Sequence, residues 1–204
     1  MQAIAEVTSS SITNVVAECA HQPQQKENRQ KPRFGSFVCI ESQTSDLRYL
    51  GIVYNITTAP VDSVHRTVAF GMTREELQKE QPQIFSLLQT NIHALLIGFI
   101  TNGSGFGYLP PQPPDLHEFV YPATKEDLEK VVENFDFLRL LSGVNIVASD
   151  ELIAAAIREA FLIHNKSGEF LLKAGQALAQ LFKTDSERLL AILRRIQPEG
   201  MGYK

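Results

Sequence analysis

The feature of this sequence that most constrains its fold is a change of hydrophobic period near residue 124. Upstream, apolar residues come in short runs rich in β-branched and aromatic types: "FGSFVCIES" at 34–42, "RYLGIVYNIT" at 48–57 and "IHALLIGFIT" at 92–101. Downstream they recur every three or four positions, as in "SDELIAAAIREAFLIHN", where Leu152, Ile153, Ala156, Ile157, Ala160 and Phe161 share one face. The first pattern is that of strands and the second that of amphipathic helices. A chain that spends its strands before its helices does not interleave them into βαβ units. The order predicts an α+β fold, with a β unit over 1–123 and a helical bundle or extension over 124–204.

Within the β unit, "SSITNVVAEC" (10–19) reads as the first strand, and the polar stretch 21–33, with Pro23 and Pro32, reads as a loop. "QTSD" (43–46) separates the next two strands, and Gly35 and Gly51 inside strand patterns mark bulges or the tight bends of a small barrel's corners. A helical excursion is predicted near 73–90: Thr73 and Glu76 have capping-box spacing, Pro82 interrupts, and "QIFSLLQT" resumes a turn. The last strand of the unit is "HEFVYPA" (117–123).

The helical unit is predicted to hold three or four helices. Capping boxes pair Thr124 with Asp127 and Thr184 with Glu187, and "GEFLLKAGQALAQLFK" (168–183) is apolar round much of its circumference, which implies burial between partners.

The sequence "GFITNGSGFGYLPPQPPDLHEFVYPA" (98–123) raises the question of chemistry. "NGSGFG" resembles a phosphate cradle, but Tyr-Leu-Pro-Pro follows where a P-loop needs Lys, a hydroxyl and a helix start. Asn-Gly between two strand-like runs is a hairpin turn. "PPQPP" (110–114) contains P-x-x-P, yet as a rigid stretch without donors it also suits a crossing between strands, and that plainer role is preferred. The five histidines (21, 65, 93, 117 and 164) lack ligand spacing, no CxxC or GxSxG occurs, and Glu75–Glu76 belongs to a first helical turn. The expectation is no enzyme activity, no cofactor and no metal.

Charge narrows the partners. The net charge is −4, divided as −3 over 1–123 and −1 over 124–204, with a small basic island "KENRQKPR" at 26–33. Neither half has the basic excess that phosphate neutralisation requires. Cys19 and Cys39 sit in apolar surroundings and read as two buried thiols of a reducing compartment. No signal peptide is visible, and the longest apolar run is too short to span a bilayer. The sequons at Asn55, Asn102 and Asn165 carry no weight without secretion. Cytoplasmic localisation and no membrane partner are expected.

The order of these features resembles the HAS-barrel, the small β-barrel at the N-terminus of HerA-type ATPases, similar to that of rotary ATP synthase subunits. Matching residues are Gly35, Val38, Ile40, Leu50, Gly51, Val53, Gly98, Pro110, Pro111, Val120, Ala123 and Leu128, within residues 8–135. In a HerA-type protein the barrel leads soon into a P-loop ATPase core; here about seventy helical residues follow instead, so hydrolysis and translocation do not carry over. The resemblance implies a closed antiparallel barrel that packs beside copies of itself. The expected function is that of a non-enzymatic assembly or interaction protein, a scaffold or adaptor that associates with itself or another protein. The alternative is an accessory factor in nucleic-acid processing that binds single strands or a separate HerA-type translocase. Tyr49, Tyr54, Phe70, Phe106 and Tyr108 would then stack bases beside Arg48, Arg66 and Arg74.

Overall fold

The computed structural model describes residues 2–19, 32–61, 69–144 and 148–196. Seven strands precede the main helical layer: β1 (Ala5–Ser10), β2 (Asn14–Cys19), β3 (Phe37–Glu41), β4 (Arg48–Pro60), β5 (Leu88–Thr101), β6 (Ser104–Phe106) and β7 (Phe119–Pro122). Short helices α1 (Arg74–Glu80) and α2 (Gln83–Ser86) lie between β4 and β5. After β7 come α3 (Lys125–Val131), α4 (Phe137–Gly143), α5 (Ser149–Ile163), α6 (Gly168–Leu181) and α7 (Ser186–Ile196). The class is α+β, as the period change predicts.

Six strands close into an antiparallel barrel in the order β1-β7-β3-β4-β5-β2, with β2 returning to β1, and β6 is an extra strand on β5. Closure removes the unpaired edges that an open sheet would present. The run 10–19 predicted as one strand is instead a turn and a strand: Ser11 Oγ donates to the Asn14 carbonyl and accepts from the Asn14 amide, and β1 pairs back on β2. Gly51 sits at a register shift of the β4–β5 ladder, the bulge expected there.

Two cores result. Ala5, Val7, Val15, Ala17, Val38, Ile40, Tyr49, Val53, Ile92, Ala94, Leu96, Phe99 and Val120 fill the barrel interior. On the outer wall, Phe37, Leu50, Ile52, Leu95, Ile97 and Ile100 pack against Leu128, Phe137, Leu141, Leu152, Ile153 and Ile157 of the helices. The helical layer comes within van der Waals reach of the barrel backbone. Gly35, at φ +84°, leaves room where a Cβ would stand 2.5 Å from the Ala155 Cβ and 2.7 Å from its carbonyl carbon.

Both first capping boxes form: Thr73 with Glu76 on α1, Thr124 with Asp127 on α3. The third is displaced by one residue. Asp185 takes the cap, its carboxylate accepting from the Arg188 amide at 3.0 Å and its carbonyl from the Leu189 amide at 3.1 Å. Five helices follow residue 123 among the described residues, where three or four were predicted; α4 is the addition. Within the chain α6 fully buries only Ala174 and Leu178, and Leu172 is 63% exposed. No helix among the described residues is long and apolar enough to cross a membrane.

Candidate functional site

The glycine- and proline-rich segment makes the β5–β6 hairpin and then crosses to β7. Asn102 (φ +49°) and Gly103 (φ +76°) form a two-residue turn between paired Thr101 and Ser104, the geometry that suits hairpin twist. Beyond β6 the chain crosses to β7, with Pro110 and Pro114 buried and Pro111 exposed. Tyr49 inside the barrel donates its hydroxyl to the Pro113 carbonyl at 3.3 Å. Gly98 and Gly105 let β5 and β6 touch α3: a Cβ on either would lie 2.3 Å from Val131 Cγ1 or the Lys130 carbonyl oxygen respectively. No anion cradle is built, and the segment is a connection. Glu118, at the end of this crossing and 2% exposed, has neither carboxylate oxygen hydrogen-bonded. The nearby Glu118 charge adds to burial in holding the Tyr49 phenol above its ordinary value.

The remaining skeleton residues lie in the two cores or pack against them. Val38, Ile40, Val53 and Val120 face the interior, Leu50 and Leu128 join the outer core, and Ala123 packs against it. Arg48 ties barrel to helix, reaching Glu41 at 3.3 Å and the buried Asp127 at 2.9 Å. Beneath that bridge lies Cys39, a free thiol that burial pushes up to about 12. A thiol of that kind is no nucleophile at neutral pH.

Among the described residues, the stacking candidates do not share one surface. Tyr49 is 2% exposed and inside the core, which removes it from any base-stacking surface. Tyr54 packs on His93, while Phe106 and Tyr108 pack on Phe99, six residues or about 20 Å further along β5. Phe70 is exposed, Arg74 covers the Phe85 ring, and Arg48 is spent on carboxylates. Arg66, His21, His65 and most of the basic island lie outside the described residues. Of the other histidines, His93 lies 3.2 Å from the Thr57 hydroxyl and His117 pairs with Glu6 at 2.6 Å. No metal-holding group of acidic, histidine or cysteine side chains occurs among the described residues.

Sequence reasoning missed a concavity among the described residues. A cleft of about 460 Å³ opens between α3 and the α5–α6 corner, lined by Leu128, Glu129, Val132, Glu133, Phe135, His164, Ser167, Glu169, Phe170 and Lys173. Its volume is in the range of small-ligand sites. His164 ends α5, stacks on Phe170 with ring centroids 4.6 Å apart, and has a buried Nε2 without a hydrogen-bond partner. Burial holds this imidazole below its ordinary value, against the opposing pull of Glu129. Phe135 is held at φ +56°, a costly conformation for a bulky residue, and contacts Phe170 at 5.4 Å. Glu129 pairs with Lys125 at 3.4 Å and Glu169 with Lys173 at 2.8 Å. Nothing local could have announced this site, since its residues come from segments about forty positions apart.

Set against family models and curated proteins, the chain matches none.

Proposed function

We propose that this protein is a non-enzymatic assembly or interaction protein built on a HAS-like barrel, a scaffold that associates with further copies of itself. The closed six-stranded antiparallel barrel is compatible with that resemblance, and the observation that carries the function is an arm that extends from the barrel. From Asn55 to Pro60, β4 pairs only with residues 88–93 of β5 among the described residues, and the following α1 buries no residue. Ile56, Val61, Phe70, Met72 and Leu87 along this arm are exposed, Val61 by 62%. Ordering a residue costs about 1–2 kcal/mol, and the described residues of 55–60 and 69–87 place no fully buried side chain in either core. Association would bury these side chains and supply what the single chain does not.

Solution mass by light scattering, at low and moderate salt, tests this. A closed oligomer is expected, and Phe70→Glu with Leu87→Glu should dissociate it while circular dichroism stays unchanged. A strict monomer at high concentration that also captures nothing from its host overturns the proposal. Copurification of a separate HerA-type translocase would turn it toward the accessory-factor alternative, for which the described residues assemble no stacking surface.

A further inference from the structure

We propose that the cleft between α3 and the α5–α6 corner binds a primary ammonium group on an apolar stem, the chemistry of a lysine side chain or a small alkylamine. This goes beyond self-association and rests on a different part of the molecule. The lining divides into a floor and a rim. Leu128, Val132, Phe135 and Phe170 give an apolar and aromatic floor suited to a methylene stem. Glu129, Glu133 and Glu169 give the rim three carboxylates against the single cation Lys173.

Two of those carboxylates already have lysine partners, but Glu133 enters no ion pair among the described residues. Its charge already acts on Lys173, but that lysine is held by Glu169 at 2.8 Å, so Glu133 is the rim carboxylate most open to a further cation. His164 lines the cleft with its Nε2 buried and without a partner; a turn of the ring would present that nitrogen to the ligand as an acceptor when the proton resides on Nδ1. Aromatic faces beside carboxylates favour an ammonium, which is attracted by the ring quadrupole as well as by charge. An anion at the N-terminus of α6 is the opposite choice. The three carboxylates repel it, and the Ser167 hydroxyl already caps the Phe170 amide at 3.4 Å.

Acidity provides a second readout. The charged groups around His164 are Lys125 and Glu129 on α3, Glu133 just beyond it, and Glu169 and Lys173 on α6. Protonating His164 removes the acceptor and adds a like charge. Binding should therefore fall only as the pH drops below the ordinary imidazole value of about 6.5, from which burial lowers His164.

The test is an amide-resolved NMR titration of the full chain with n-butylamine, n-butanol, and tripeptides carrying lysine or norleucine between alanines. Saturable shifts at His164, Phe170 and Glu133 are expected with butylamine, at least tenfold weaker with butanol. The exposed-rim variant Glu129→Gln with Glu133→Gln should fold normally and bind on the order of tenfold more weakly. Equal binding of butanol, shifts away from the cleft, or no response to the variant overturns the proposal. Tighter binding of the lysine tripeptide than of butylamine assigns the ammonium to a partner protein; equal or weaker binding assigns it to a free amine. A monomeric chain that still binds butylamine would separate this inference from the assembly proposal.

Discussion

The barrel interior and the barrel's outer wall are both apolar cores, but they are built differently. The interior draws on all six strands and sets many small side chains, among them Ala5, Ala17, Ala94, Val7, Val38 and Val120, around the large Tyr49 and Phe99. The outer wall is apolar only on β3, β4 and β5, where Phe37, Leu50, Ile97 and Ile100 meet large residues of α3–α5. Consequently β3 and the barrel part of β4 are buried on both faces as continuous runs, whereas β1, β2 and β7 alternate between buried and more exposed positions. A strand's sequence pattern here reports what covers its outside. The helices are the reason three strands read as unbroken apolar runs.

The strongest way to break this comparison is to strip the outer core. Phe137, buried against Phe37 with ring centroids 6.0 Å apart, is expected to cost about 3–5 kcal/mol as Phe137→Ala. Interior Ile40→Ala should cost about as much. If the two cores are one cooperative unit, both variants shift a single denaturant transition, followed by far-ultraviolet circular dichroism. A second transition, moved by Phe137→Ala alone, would make residues 124–204 an independent domain.

Direct backbone contact argues for one unit. Gly35→Ala combines a left-handed backbone with a Cβ driven into Ala155, so a loss of about 2–4 kcal/mol is expected. The change touches no barrel-interior residue. If thermal denaturation shows a loss below 0.5 kcal/mol, the α5 contact is loose and the layer is not welded to the barrel.

Cys39 sharpens the same boundary, because it lies on the outer side of β3 beneath the Arg48–Asp127 bridge. In the folded chain burial raises the thiol to about 12, from 9.0 when unfolded. Below 9 both states hold the proton and stability does not depend on this group. Above 9 the unfolded chain ionises first, so stability falls by up to about 1.4 kcal/mol per pH unit until about 12. Comparing unfolding midpoints from pH 8 to 10.5 with those of Cys39→Val isolates this share from other titrating groups. An unchanged alkaline slope would show that the thiol is reached by water.

What was legible in the sequence follows the same division. Runs such as "FVCI" and "ALLIGFI" announced β3 and β5 because both faces are apolar. Strand β1 escaped because its inward residues, Ala5 and Val7, are small and its outward ones polar, leaving no run. The Asn102-Gly103 turn and the first two capping boxes were readable because their chemistry is local. At 184–187 two good caps are adjacent, and one-residue spacing could not choose Asp185 over Thr184. Helix α4 escaped because seven residues carry less than two periods. The cleft was invisible because Glu133, His164 and Phe170 meet only through the packing of α3 against the α5–α6 corner.

The two intact capping boxes offer the finest comparison. Thr73 and Thr124 use the same bonds: each hydroxyl accepts from the amide three residues on at 3.3 and 3.2 Å, and each amide donates back to that residue's carboxylate at 2.8 Å. Their surroundings differ. Helix α3 fully buries Asp127, Leu128 and Val131, while α1 buries nothing. Losing a cap costs about 1 kcal/mol in the helix itself. That loss reaches the global transition only if the helix unfolds with the core. Thr124→Ala should therefore lower global stability by about 1 kcal/mol, and Thr73→Ala should leave it unchanged while speeding amide exchange over residues 74–80. If Thr73→Ala also lowers the global midpoint, the arm is packed on something within one chain, and the argument that its apolar surface awaits a partner fails.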